Sequence, residues 1–145
     1  MLYTYEYPRL MLTVDAVVFR INGSKQEVLL IQRKHDPFAG MWALPGGFVD
    51  MEETVEQAVV RELEEETGLK FNDLKQLHTF SALGRDPRGR TVSVTFYGII
   101  KIENSAVKGG DDASDARWFP VDSLPFLAFD HIEAVKMGLD RIKPL

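Results

Sequence analysis

This sequence predicts a single α/β domain with a mixed β-sheet and helices on its faces, on three observations. The hydrophobic patterns run strands, helix, strands, helix. No internal repeat, low-complexity tract or linker divides the 145 residues, so one domain is expected over 1–145, with residues 1–9 as an N-terminal arm. The chain is 45% hydrophobic and 27% charged and has no cysteine, a composition that suits an ordinary globular fold and excludes disulfides, thiolate metal sites and cysteine nucleophiles.

The formal net charge of −5 argues against non-specific nucleic-acid binding but leaves room for a small anionic substrate. The N-terminus lacks a basic n-region and an apolar h-region, and no run approaches membrane-spanning length. No membrane partner is therefore expected, and the cytoplasm is the default compartment.

Taken in order, Tyr3, Tyr5 and Tyr7 alternate with Thr4, Glu6 and Pro8, which suits an extended arm lying on this chain or on a partner. Residues 12–21 and 27–33 are β-branched and apolar, and with a turn at Gly23-Ser24 they read as a hairpin. A loop over 34–44 leads to a tight turn at Pro45-Gly46-Gly47, where glycine permits close backbone approach. Thr54 with Gln57 opens a helix by a capping box, and Gly68 stands where a helix ends. Residues 74–83 and 91–102 read as long strands around a basic turn, and 103–116 as a flexible acidic loop. Asp130 with Glu133 caps a final helix that offers Ile132, Val135, Met137 and Leu139 for packing.

The first helix carries the chemistry. At about 100° per residue, Val55, Ala58, Val59 and Leu63 form one apolar stripe. Glu62 and Glu66 fall inside it and Glu65 on its edge, whereas Glu56, Gln57 and Glu64 point away. Like charges at this spacing repel, and acids in a last turn face the negative end of the helix dipole. A divalent cation, Mg²⁺ or Mn²⁺, would offset that cost directly.

These residues also carry a resemblance. The Nudix hydrolase signature G-x5-E-x7-R-E-U-x-E-E-x-G-U is matched by Gly47, Glu53, Arg61, Glu62, Leu63, Glu65, Glu66, Gly68 and Leu69, with no departure over 23 residues. The resemblance implies an α/β/α sandwich in which Glu62, Glu65 and Glu66 ligate the metal and the Gly46 carbonyl adds a further donor. It implies that Glu53 supports the site and that Arg61 orients the acids through Glu53; the plainer alternative for Arg61 is a surface pair with Glu65. Glu66 is the first candidate for general base, with Asp111, Asp112 and Asp115 as loop alternatives.

The flanking segments RKHDPFAGMWALPGGFVD, LGRDPRGRTVSVTFYG and ARWFPVDSLPFLAFDH resemble ADP-ribose pyrophosphatases and the Nudix half of regulators of NAD metabolism. The chain stops at Leu145 without room for a winged helix, so an enzyme is expected rather than a regulator of that design. The substrate is then a small nucleotide, ADP-ribose, cleaved to AMP and ribose 5-phosphate. Arg33, Arg85, Arg88 and Arg90 could supply cations for its diphosphate. Phe48 could stack the base; Trp42 could also, although core packing suits it better. The alternatives are a nucleoside triphosphate pyrophosphohydrolase, including one for oxidised nucleotides, and a non-catalytic nucleotide-sensing module. The resemblance and the aromatic arm are compatible with a homodimer. His35, His78 and His131 are scattered and read as structural or surface residues, and neither a P-loop nor G-x-G-x-x-G occurs.

Overall fold

The computed structural model describes residues 2–110 and 112–143. Its strands are β1 (Met11–Asn22), β2 (Lys25–Arg33), β3 (Trp42–Ala43), β4 (Gly46–Phe48), β5 (Lys75–Phe80), β6 (Thr91–Ile99) and β7 (Ala113–Pro120). The helices are α1 (Val55–Thr67) and α2 (His131–Ile142), with one 3-10 turn at Ile102–Asn104. Residues 2–10 precede β1 without regular structure and are exposed.

Strand β1 is the spine of the mixed sheet, because its apolar run from Ala16 to Phe19 can be buried on both faces. It runs parallel to β6 from Met11 to Phe19, and β6 pairs antiparallel with β5. Period-two alternation sends Val14, Ala16 and Val18 into a core with Ala58, Val59 and Leu63 of α1. Val17 and Phe19 enter a second core with Ala134 and Val135 of α2. The sheet is thus sandwiched between the helices. Gly138 lets α2 come close, since a Cβ there would lie 2.9 Å from the Phe19 ring.

On its other edge β1 changes partner along its length, and this creates the site. Near the hairpin turn Phe19–Asn22 pair with β2, but nearer the strand's start Thr13–Asp15 pair with β4. From Glu27 onward β2 pairs with β7, and further along also with β3. The sheet therefore splays beside the end of α1.

Four expectations need correction. Residues 45–47 do not form a tight turn: Gly46–Phe48 is a strand, and a Cβ on Gly46 would collide with the Val14 carbonyl and the Asp15 side chain. The acidic stretch 103–116 is not all loop, because from Ala113 it becomes β7. That strand is short and polar, its buried side chains there are the small Ala113 and Ala116, and its order comes from the β2 backbone. Strands β5 and β6 stop at Phe80 and Ile99, short of the expected 83 and 102. Finally, Asp130 makes no side-chain cap on α2, and Ile132 and Met137 are each 37% exposed. The face of α2 that packs is His131, Ala134, Val135 and Gly138, small enough for the close approach that Phe19 demands.

Candidate active site

Helix α1 is fixed at both ends by local chemistry. Thr54 Oγ1 accepts the Gln57 N–H at 3.1 Å while Gln57 Oε1 accepts the Thr54 N–H at 2.9 Å. Gly68 closes the helix in the left-handed region at φ 78°, a conformation that costs glycine nothing. With start and stop set, Leu63 is buried in the core and the acids around it are carried toward the splayed sheet.

Glu66 is buried at 6% exposure, and its Oε1 accepts the Gly46 N–H of β4 at 2.7 Å. Burial pushes its pKa up to about 8; the Gly46 bond opposes the rise, and the charges of Glu62, Asp15 and Asp112 add to it. Glu62 is likewise raised by burial, against the pull of Arg61. Gly47 makes room for the Glu62 carboxylate, whose carbon a Cβ would approach to 2.6 Å and displace.

Arg61 gathers the acids. Its Nε donates to Glu53 Oε2 at 2.9 Å, and its Nη2 pairs with the other Glu53 oxygen and with the Phe48 carbonyl at 3.1 Å. Its Nη1 donates to Glu62 Oε1 at 2.8 Å and to Glu65 Oε2 at 3.1 Å. The hydrogen bond to Arg61 holds the Glu53 carboxyl below its ordinary range. Among the described residues no three acid or imidazole groups converge on one point as metal ligands. Arg61 Nη1 instead takes one oxygen each from Glu62 and Glu65.

A cavity of about 330 Å³ lies between these acids and the splayed strands. Arg33, Phe48 and Arg88 line it together with Glu62 and Glu66, as does Asp112 at the loop end. Arg85 lines it too, but its guanidinium is held bidentately by Asp130 at 2.9 and 2.7 Å and is nearly buried. Burial opposes its charge, yet Asp130, Asp15 and Asp86 leave its pKa raised. Arg85 is therefore a braced cation rather than the free one expected.

Other candidates are not brought to the cavity. Arg90 is exposed and donates to the Ser81 carbonyl at 2.9 Å. Trp42 packs edge-on against Phe119, with ring centroids 4.8 Å apart, on the α2 side of the sheet. Asp115 sits on β7 and pairs with Arg117 at 2.7 Å. Asp111 lies outside the described residues. His78 packs against Phe80, whereas His35, although exposed, does line the rim of the cavity.

Sequence reasoning passed over Asp15, Asp86, Phe129 and the site position of His131, all of which line the cavity. Asp15 Oδ2 accepts the Ser93 hydroxyl at 2.6 Å and faces His131 Nε2 at 3.6 Å. His131 Nδ1 accepts the Leu44 N–H at 3.0 Å, so the ring proton sits on Nε2, facing Asp15. Burial works against the Asp15 charge, but His131, Ser93 and Arg85 together keep its pKa low. A signal existed: Asp15 is the one acid in β1 and sits among its apolar residues, and a buried charge requires partners.

The sequence matches the NUDIX domain family over residues 11–137. It is 46% identical over 123 residues to an ADP-ribose pyrophosphatase of Methanocaldococcus jannaschii, covering 85% of this chain and 69% of that protein. It is 31% identical over 141 residues to the ADPR responsive transcriptional repressor NtrR of Acinetobacter baylyi, covering 94% of this chain but only 56% of the repressor. The NUDIX domain of Shewanella oneidensis NrtR, in a cocrystal structure with ADP ribose, superposes with a TM-score of 0.86 at 36% identity, covering 94% of this chain and 91% of that one.

Proposed function

This chain belongs to the NUDIX family and is a Nudix pyrophosphohydrolase, and we propose that its substrate is ADP-ribose, hydrolysed to AMP and ribose 5-phosphate. One observation carries this reading. Glu62 and Glu66 of α1 and a wall of arginines and aromatic rings (Arg33, Arg88, Phe48, Phe129) face the same cavity. Its likeness to an ADP-ribose pyrophosphatase supports the same substrate.

Nudix hydrolases generally use divalent metals, and the residues present fit one. Glu62, Glu65 and Glu66, with the Gly46 carbonyl, offer the hard oxygen donors that Mg²⁺ or Mn²⁺ prefers. Burial and mutual repulsion raise Glu62 and Glu66, a cost that a cation would remove. When bound, the ion neutralises charge on the phosphoryl oxygens and acidifies a water.

The chain's own residues do the rest. Glu66 takes the proton of the attacking water, with Asp112 the alternative acceptor on the cavity wall. The water oxygen bonds to one phosphorus of the diphosphate, and the bridging P–O bond breaks. Glu53 holds Arg61, and Arg61 holds Glu62 and Glu65 in register. Arg33 and Arg88 neutralise the diphosphate, Phe48 stacks the base, and Arg85, braced on Asp130, adds positive potential behind them. The exposed tyrosines of the arm are the surface a homodimer would use, in a protein of the cytoplasm. Among the described residues no helix is long and apolar enough to cross a membrane.

Turnover of ADP-ribose, nucleoside triphosphates and 8-oxo-dGTP with Mg²⁺ and with Mn²⁺ tests the proposal. ADP-ribose should be preferred in kcat/KM by about tenfold or more, roughly 1.4 kcal/mol of transition-state binding. Turnover of a triphosphate with ADP-ribose left intact would replace this substrate by the triphosphate reading. Tight ADP-ribose binding without AMP release would make the chain a sensor.

A further inference from the structure

Phe129 stands two residues before the start of α2 and is one of two non-glycine residues among those described with positive φ, at 56°. The left-handed region is costly for a large side chain, about 1–3 kcal/mol, and persists only where surrounding structure enforces it. Here the enforcement is visible. The Ala128 N–H donates to the Trp42 carbonyl at 2.8 Å, and the His131 N–H to the Ala128 carbonyl at 3.3 Å. Phe38, the other residue with positive φ (63°), packs edge-on against the Phe129 ring at 4.7 Å.

What this held ring meets is unusual. The Arg33 guanidinium carbon lies 5.2 Å from its centroid and that of Arg88 5.5 Å, so two cations approach one ring, Arg88 also lying 4.9 Å from Phe48. Arg33 is half-buried, and both burial and the Arg88 charge work against its proton. Each arginine is anchored at one side only. Arg33 Nε donates to the Pro37 carbonyl at 2.7 Å, while Arg88 donates through Nε and Nη2 to Asp86. Both terminal nitrogens of Arg33 and Nη1 of Arg88 have no hydrogen-bond acceptor among the described residues. Two like charges on the wall of one cavity, with donors to spare, are arranged for a ligand carrying paired negative charges.

We propose that Phe129 is a positioning residue whose ring holds the Arg33 and Arg88 guanidiniums together as a clamp for the two phosphates of the substrate. The negative face of the ring offsets part of the repulsion between the cations before any anion arrives. Its fixed backbone removes the freedom that would let them part. The inference rests on a diphosphate-bearing substrate, as in the reading above, but it assigns Phe129 no contact with the reacting atoms.

The test compares Phe129→Leu, which keeps apolar bulk but has no π-face, with Phe129→Trp, which keeps one. Each variant is assayed by steady-state kinetics with Mg²⁺ and by urea unfolding. Phe129→Leu should raise KM roughly tenfold, as loss of two cation–π contacts implies, with kcat nearly unchanged. Phe129→Trp should restore KM to within about threefold of wild type. The KM increase should also carry a steeper salt dependence, since unclamped arginines depend more on screening. An unchanged KM in Phe129→Leu, or equal losses in the Leu and Trp variants, would overturn the clamp and leave Phe129 a packing residue. If wild type turns over a triphosphate but not ADP-ribose, the substrate reading fails; the same comparison on that triphosphate then decides the clamp separately.

Discussion

Helix α1 opens with a capping box closed within four residues, whereas α2 opens with an acid whose side chain leaves the helix to hold Arg85 from the turn between β5 and β6. Both helices deliver residues to one cavity, α1 by its last turn and α2 by its first. In α1 the partners lie three residues apart, and the structure follows from the local sequence. In α2 the partner of Asp130 is 45 residues away, and the cap motif is spent on a tertiary ion pair. A capping sequence is thus a bid for a hydrogen bond that a buried guanidinium can win.

The largest effect is expected at the end of α1. Glu66→Gln should lower kcat about a hundred- to ten-thousandfold, the range of a lost proton acceptor, in single-turnover assays with saturating metal. If turnover survives, the proton acceptor lies elsewhere, with Asp112 next in line. At the start of α2, Asp130→Ala should cost about 3 kcal/mol in urea unfolding, because it strands a nearly buried guanidinium. Replacing both Arg85 and Asp130 by leucine should recover much of that loss; no recovery would mean the pair stabilises beyond its own charges.

The titration of Glu66 sharpens the contrast in a quantity that α2 does not share. Its pKa is about 8 in the folded chain against 4.5 for the unperturbed group, so the folded state binds the extra proton. Stability of the metal-free protein is therefore greatest below pH 4.5 as far as this group is concerned, and falls as pH rises toward 8. The total loss is on the order of a few kcal/mol. Denaturation in EDTA across that range should show the slope in wild type and a much shallower one in Glu66→Gln, where the raised Glu62 still contributes. The smallest effect belongs to the local motif: Thr54→Ala should cost about 1 kcal/mol and leave KM and kcat unchanged. A larger loss of activity than of stability would mean that the cap positions the acids as well as the helix.

Much of the fold was legible because its signals are periodic. The apolar run of β1, the hairpin to β2 and the stripe of α1 each repeat at the period of their own structure. Strand β7 was not, since a short polar segment with buried alanines carries no alternation and is ordered by the backbone of β2. Within the site, Arg61, Glu62 and Glu66 share one helix at readable spacing, with Glu53 just before its start. Asp15, Asp86 and the Phe129–His131 pair come from three separate segments and have no common period.

The sequence by itself determined where α1 starts and stops and which of its acids face inward. Each is a contact between residues near in the chain or an angle set by helical rise. Tertiary structure alone decided which arginines remain available. Arg85 and Arg88 are three residues apart in one polar turn, yet one is braced on Asp130 and the other lies over the Phe48 ring at 4.9 Å. The reason is that a charge's role depends on the partner it finds after folding, and that partner lies tens of residues away.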